Sequence, residues 1–219
     1  MSNKKKAQIL AIAIVLALIA LGGALWGPIV SNVEQAKYTT LETSGNIEIR
    51  EYAPMIVAET TVLGDRKEAI NTGFRLIADY IFGNNSTTEK VAMTAPVIQQ
   101  SGRKIAMTAP VTQQSDGRTW GVRFVMPSDY TLASLPKPNN PKVKIKELKS
   151  AKFAIIRFSG LASEDNLQKY TQLLLAFVKE KNVKASGEPV YAFFNPPWTL
   201  PFLRRNEIML EVLSEDEGN

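Results

Sequence analysis

The chain has 219 residues, enough for one medium domain with an appendage, and a formal net charge of +5. It contains neither cysteine nor histidine, which excludes disulfides, a thiolate nucleophile, a Ser-His-Asp triad and a histidine-ligated metal. Lys4, Lys5 and Lys6 supply three of the net positive charges, so the remaining balance does not indicate a nucleic-acid partner.

The N-terminal region predicts a membrane anchor. Ala7–Trp26 is uncharged and apolar apart from Gln8, and its length matches the roughly 20 residues that a helix needs to cross a bilayer. The preceding lysines favour a cytoplasmic N-terminus and an exported domain. Gly22 and Ala24 leave a cleaved signal peptide open, but the stretch exceeds the usual ~7–15 residues, which favours an uncleaved anchor.

We therefore divide the chain into four parts. Residues 1–30 are predicted to be the anchor, 31–37 a polar tether, 38–213 a single domain and 214–219 an acidic tail. This organisation predicts a single-pass protein of the cytoplasmic (inner) membrane, with its domain facing the periplasm or the cell exterior.

The first half of the domain predicts two strands and a helix. Asn46–Tyr52 alternates apolar and charged residues, and Met55–Leu63 is the second apolar run. Asp65 with Glu68 resembles a capping box for a helix that ends near Phe82. The predicted apolar stripe of this helix is Ile70, Phe74, Ile77, Ala78 and Ile81. Gly73 inside the helix costs ~1 kcal/mol relative to alanine and indicates a close approach to its backbone.

An eleven-residue phrase then occurs twice. Lys90–Gln100 reads KVAMTAPVIQQ and Lys104–Gln114 reads KIAMTAPVTQQ, with three residues between them. Two β-branched runs around a short glycine-containing connection predict a hairpin. Pro96 and Pro110 cannot donate to a strand ladder, so we expect them at an edge, a bulge or a strand end.

The second half repeats the first at an offset of 96 residues. Val143 and Ile145 match Ile47 and Ile49, and Gly160 matches Gly64. The remaining predicted elements are strands at Thr119–Met126, Phe153–Phe158, Pro189–Phe194 and Asn206–Leu213, and a helix capped by Ser163 with the stripe Leu167, Tyr170, Leu174, Phe177 and Val178. Two β-β-α-β-β repeats predict an α+β fold with an antiparallel sheet curled around two helices.

The charged and aromatic clusters of the sequence offer few candidates for catalysis. No carboxylate pair or phosphate-binding loop is evident in the sequence, so we expect a non-enzymatic protein. Lys142, Lys144 and Lys146 favour an edge strand, with contact to anionic lipid as the alternative. Residues 204–207 (RRNE) favour a solvated strand end with a local ion pair over a ligand contact. The aromatic residues of 195–203 must either plug the fold or line a cleft.

Three stretches resemble the SOUL haem-binding family. They are the AMTAPV phrase, Phe74–Asn84 (FRLIADYIFGN) and Asn195–Val212 (NPPWTLPFLRRNEIMLEV). The resemblance extends from about Tyr38 to Leu213 and looks like that of a membrane-anchored, bacterial-type member. It implies a distorted antiparallel β-barrel flanked by two helices.

The resemblance also implies a tetrapyrrole cleft beside the first helix, with Arg75 as a cation for the propionates. The residues it implies for binding are Phe74, Arg75, Ile77, Ala78, Ile81, Trp198 and Phe202. Because no histidine can ligate iron, haem binding is expected to be weak and largely hydrophobic. The remaining candidate iron ligands are Met55, Met93, Met107, Tyr52 and Tyr80.

The resulting hypothesis is non-catalytic sequestration or transfer of haem or another tetrapyrrole at the outer face of the membrane. Two alternatives stay open: a general small-molecule effector-binding domain, and a protein-interaction domain on a membrane tether. The sequence leaves the oligomeric state undetermined.

Overall fold

The computed structural model describes residues 33–86, 103–196 and 198–213. The predicted anchor, the acidic tail and the first copy of the repeated phrase lie outside these ranges. Within the described ranges, no helix has both the length and the apolar character that crossing a bilayer requires.

The described residues form eleven strands, two α-helices and one short 3₁₀ turn. In chain order they are β1 Tyr38–Ser44, β2 Ile47–Tyr52, β3 Met55–Leu63, α1 Arg66–Ile81, β4 Asn85–Ser86, β5 Val111–Ser115, β6 Thr119–Val125, β7 Lys137–Pro138, β8 Lys144–Leu148, β9 Ala151–Phe158, α2 Glu164–Glu180, β10 Ala185–Phe193, the 3₁₀ turn Pro201–Leu203 and β11 Asn206–Val212.

Nine of these strands make one antiparallel sheet in the order β1-β2-β9-β11-β10-β5-β6-β3-β8, and β4 pairs with β7 separately. The sheet is curled into a half-barrel. Its end strands, β1 and β8, do not pair with each other. The α+β class with two helices is therefore confirmed, while the barrel is open along one side.

The predicted internal repeat is visible in the strand order. Each half contributes a β-β-α-β-β unit, β2 to β6 and β8 to β11, disregarding the two-residue strands β4 and β7. The first strand of each unit pairs with a strand of the other unit: β2 pairs with β9, and β8 pairs with β3. The two repeats are thus joined by exchanged strands, so neither half of the sheet is complete without the other.

Both helices begin at their predicted caps. The Asp65 side chain accepts a hydrogen bond from the Glu68 backbone N–H, and Ser163 does the same for Asn166. On α2 the predicted stripe is confirmed, because Leu167, Leu174 and Val178 are buried over β9 and β11 and the stripe's aromatic residues pack beside them.

The buried face of α1 is rotated from the predicted stripe. It consists of Ala69, Gly73, Ile77, Tyr80 and Ile81, whereas Phe74 remains 40% exposed. The cause is Gly73: a Cβ atom there would lie 2.6 Å from Val122 Cγ2. The missing side chain lets the helix backbone descend onto the sheet, which confirms the predicted close approach.

The second copy of the repeated phrase is an extended segment that leads into β5. Pro110 directly precedes β5, at the strand end where a proline was expected. β5 pairs with β6 and β10, so the hairpin in the described residues joins β5 to β6. A hairpin between the two copies stays a prediction, because the first copy lies outside the described residues.

The lysine-rich strand is confirmed as an edge strand. β8 ends the sheet and exposes Lys144 and Lys146. Lys146 also forms an ion pair with the largely buried Glu59 on β3.

Replacing Gly73 with alanine separates helix propensity from packing. Propensity alone would stabilise the fold by ~1 kcal/mol, but overpacking against Val122 should cost ~1–3 kcal/mol. We expect equilibrium urea unfolding to show a net loss for Gly73→Ala. The Gly73→Ala/Val122→Ala double variant should lose less than the sum of its single variants, because the second substitution removes the clash. A stabilised Gly73→Ala would contradict the close packing.

Candidate functional site

A cleft of about 590 Å³ with both polar and apolar walls lies between the N-terminal segment, the β2–β3 turn and the loop after β6. Its walls are residues 34–37, 53–56 and 125–133, with Glu147 from the edge strand β8. Such a volume is within the ~300–1,000 Å³ typical of small-molecule sites.

The floor of the cleft is built from methionine and aliphatic side chains. Met126 is buried in the core under α1, whereas Met55 is half-buried and packs against the cluster on the opposite face of the sheet. Tyr130 and Leu132 rise from the loop after β6, and Leu132 is half exposed. Methionine side chains adapt readily to a guest because they are unbranched and polarizable.

Backbone hydrogen bonds hold the N-terminal wall in place. Ala109 donates to the Glu34 carbonyl at 2.9 Å, and Ala53 donates to the Lys37 carbonyl at 3.0 Å. The Glu34 carboxylate also accepts from the Ser128 backbone N–H at 3.1 Å. Thr108, from the same AMTAP phrase as Ala109, donates its hydroxyl to the Val125 carbonyl. The second copy of the phrase therefore fixes the N-terminal wall of the cleft.

The rim of the cleft carries both signs of charge. Lys37 provides an ammonium group, while Glu34 and Glu147 provide carboxylates. A ligand with acidic groups would direct them towards Lys37 and solvent, away from the two glutamates.

A second cleft of about 580 Å³ lies between β1, β2 and the end of α2. Lys152, Lys181 and Lys184 line it together with aliphatic side chains, but no methionine or tyrosine does. It offers lysine charge for an anion, although Lys181 is already paired with Glu42 at 2.6 Å.

At residues 204–207 the predicted local ion pair is present between Arg205 and Glu207, but the prediction that this strand end is solvated is wrong. Glu207 is fully buried (0% exposed), as is Arg50 at 2%. Arg50 and Arg205 both donate to the Glu207 carboxylate, at 3.0 Å from Arg50 Nη1 and 2.9 Å from Arg205 Nε. The charged sequence suggested a surface ion pair, but β11 lies in the interior of the sheet, where residues 206–210 are all buried.

This buried cluster of Glu48, Arg50, Arg205 and Glu207 extends into neighbouring segments. Arg50 also pairs with Glu48 at 2.6 Å, and this hydrogen bond lowers the pKa of the Glu48 carboxyl. Burial, reinforced by the charge of Glu207, raises the pKa of Tyr52 to about 12. Arg205 Nη1 donates to the Gln35 side chain at 3.0 Å. Because Gln35 belongs to the N-terminal wall of the cleft, this hydrogen bond links the charge cluster to that wall.

None of the seven residues predicted for binding lines either cleft. Ile77 and Ile81 are buried in the core beneath α1, and Ala78 is half-buried. Phe74 and Arg75 are exposed on α1, with the Phe74 ring 5.4 Å from that of Phe124. Trp198 and Phe202 are exposed on the loop before β11. Their role as ligand contacts stays a prediction.

Among the candidate iron ligands, Met55 faces the 590 Å³ cleft. Tyr80 is buried and donates its hydroxyl to the Pro136 carbonyl at 2.9 Å, and burial raises its pKa to about 12. Tyr52 is buried in the charge cluster, Met107 is exposed away from the clefts, and Met93 lies outside the described residues. Sequence reasoning missed Met126 and Tyr130, which no motif connects to Met55.

In the described part of the chain, no cluster of three or more aspartate or glutamate side chains could hold a metal ion.

The fold and the cleft define an α+β domain made of two strand-exchanged repeats, with an open cavity beside its N-terminal segment. The chain belongs to the SOUL family: the family described as "SOUL heme-binding protein" matches residues 33–211. Human heme-binding protein 2 is 30% identical over 169 residues, which cover 76% of this chain and 78% of the human protein.

Solved structures share the fold at low sequence identity. The C-terminal domain of EcmrR is 12% identical with a TM-score of 0.55, covering 81% of this chain and 98% of that domain. A crystal structure described as a hydrolase from Listeria innocua is also 12% identical, with a TM-score of 0.51 and coverage of 79% and 94%. Likeness at this level concerns the fold alone.

Removing the charge of Glu207 should destabilise the protein strongly. Glu207→Gln leaves two arginines without their shared buried carboxylate, so we expect a loss of ~3–5 kcal/mol in the free energy of unfolding. Glu48→Gln is the matched control, because that carboxylate is partly exposed and its loss should cost about 1 kcal/mol or less. Equal losses for the two variants in urea unfolding would show that burial of the Glu207 pair is unimportant.

Proposed function

We propose that this chain binds haem or another tetrapyrrole without catalysing a reaction, and that it sequesters or transfers the molecule at the outer face of the cytoplasmic membrane. Membership of the SOUL family over nearly all described residues supports the ligand class. The observation that carries the proposal is the 590 Å³ cleft, whose apolar part is formed by residues that include Met55, Met126 and Tyr130.

The residues of this cleft fit a planar apolar guest. Burying a large ring against methionine and aliphatic side chains yields ~25 cal/mol per Å² of apolar surface. Met55 places a thioether at the cavity, and a thioether is a weak ligand for haem iron when no imidazole accompanies it. Lys37 at the rim can pair with a propionate. Haem, when bound, would supply the colour and the iron, while the protein supplies enclosure and orientation.

The α1 surface that the family resemblance implies is the rival location. Phe74 and Arg75 are both exposed there, but consecutive helix positions point about 100° apart, and Arg75 Nε donates to the Asn71 carbonyl at 3.2 Å. We favour the cleft because Ile77 and Ile81 contribute no surface, so α1 offers less apolar area for a macrocycle than the cavity does.

The membrane location rests on the sequence of residues 7–26 and the three lysines before them. An anchored carrier would keep its domain next to the bilayer, where hydrophobic tetrapyrroles partition.

Haem titration of the full-length protein in lipid nanodiscs tests both locations, with empty nanodiscs as the blank. We expect a saturable Soret change at one equivalent of haem for the unmodified chain. Met55→Ala should weaken binding about tenfold, which corresponds to ~1.4 kcal/mol. Ala133→Trp, which fills the cleft from its exposed side, should weaken binding as well.

Met107→Ala is the matched control, because Met107 is exposed and does not line the cleft. The affinity of this variant for haem should equal that of the unmodified chain. Phe74→Ala should also leave affinity unchanged. If Phe74→Ala binds haem more weakly while Met55→Ala binds it normally, the haem site lies on α1 and not in the cleft. A spectrum unchanged at micromolar haem would remove the proposed function.

A further inference from the structure

The loop of residues 198–203, here called the aromatic loop, exposes large apolar side chains. Trp198 is 66% exposed and Phe202 is 70% exposed, and Leu200 and Leu203 are also exposed. Leu161 is exposed beside them, because the Gly160 backbone N–H donates to the Pro201 carbonyl at 2.8 Å. A concentration of exposed apolar side chains marks an interaction site rather than ordinary surface.

The loop is held rigidly in this exposed arrangement. Thr199 is buried between the exposed residues, and Arg204 Nε donates to its carbonyl at 2.7 Å. The Leu203 backbone N–H donates to the Leu200 carbonyl at 2.9 Å and closes the 3₁₀ turn. Because the backbone is fixed from within, Trp198 and Phe202 are presented outward instead of collapsing onto the core.

The N-terminal segment leaves the domain next to the base of this loop. Arg205, two residues after the loop, donates to the Gln35 side chain at 3.0 Å. Val33 packs against the cluster that contains Phe194, just before the loop. The chain that leads towards the predicted anchor and the aromatic loop therefore lie at the same end of the domain.

The length of chain before Val33 sets the distance to the membrane. If Ala7–Trp26 spans the bilayer, residues 27–32 are the only link, and six extended residues reach at most ~20 Å. The domain must then sit close to the bilayer surface with the aromatic loop on the nearer side. Residues 198–203 contain no charged side chain, so no ion has to leave water when the loop enters the interfacial region.

We propose that the aromatic loop inserts Trp198 and Phe202 into the interfacial region of the lipid bilayer, as a second membrane contact beside the anchor. Tryptophan is enriched at this depth because its ring is amphipathic, and apolar insertion adds binding strength. The inference rests on the proposed membrane anchor. Since Gln35 also lines the cleft, the contact would orient the cleft towards the membrane surface.

The three tryptophans of the chain allow a direct test. Full-length variants that each retain one tryptophan, with phenylalanine at the other two positions, are reconstituted into vesicles containing lipids brominated at shallow acyl positions. We expect strong quenching of Trp198 emission by the brominated lipid. Trp120, which is half-buried on β6 and paired with the Tyr191 ring at 6.4 Å, should not be quenched. Trp26 reports on the anchor separately.

Two further variants in the Trp198-only background test the insertion. Phe202→Glu should reduce the quenching at least threefold, whereas Leu63→Glu, at an exposed leucine on β3, should not change it. Quenching of Trp26 without Trp198 would overturn the loop contact and leave the anchor intact. Absence of quenching at both would overturn the anchor together with the contact, and equal quenching of Trp120 would show non-specific adsorption. None of these outcomes alters the haem titration, so the two proposals fail separately.

Discussion

The buried carboxylate of Glu207 is the interaction on which the rest of the structure depends. It sits on β11 in the interior and accepts hydrogen bonds from Arg50 on the exchanged strand β2 and from Arg205 directly before β11. Desolvating three charges is costly, and only complete hydrogen bonding compensates for it. Through Arg205 the same carboxylate positions Gln35 and thereby one wall of the cleft. Stability and site geometry are thus coupled at one buried group.

Strand exchange explains why the site lies where it does. Since β2 and β8 complete the opposite repeats, the turn between β2 and β3 must cross from one half of the sheet to the other. This crossing, together with the N-terminal segment and the loop after β6, encloses the cavity. The cleft is therefore a product of the duplicated topology, while its chemistry comes from residues such as Met55 and Tyr130 that the repeat does not duplicate.

Local signals predicted much of the fold. The apolar run of residues 55–63 predicts β3, and the capping side chains of Asp65 and Ser163 predict the two helix starts. The match of the two halves at an offset of 96 residues predicts the duplicated architecture. β1 escaped prediction because Tyr38–Ser44 is exposed throughout and carries no apolar alternation. The cleft was not predicted because its walls come from three segments that are distant in sequence. The buried face of α1 differs from the predicted stripe because Gly73 packs against Val122, a contact that periodicity does not encode.

The central claim is that an open cavity holds a tetrapyrrole without any imidazole ligand, and locating the iron atom tests it most directly. Crystals of the full-length protein grown with haem, and measured at the iron absorption edge, would give the iron position from anomalous scattering alone. We expect one peak within the cavity, between the side chains of Met55 and Tyr130. A peak on the outer surface of α1, or none in a crystal that contains stoichiometric haem, would contradict it.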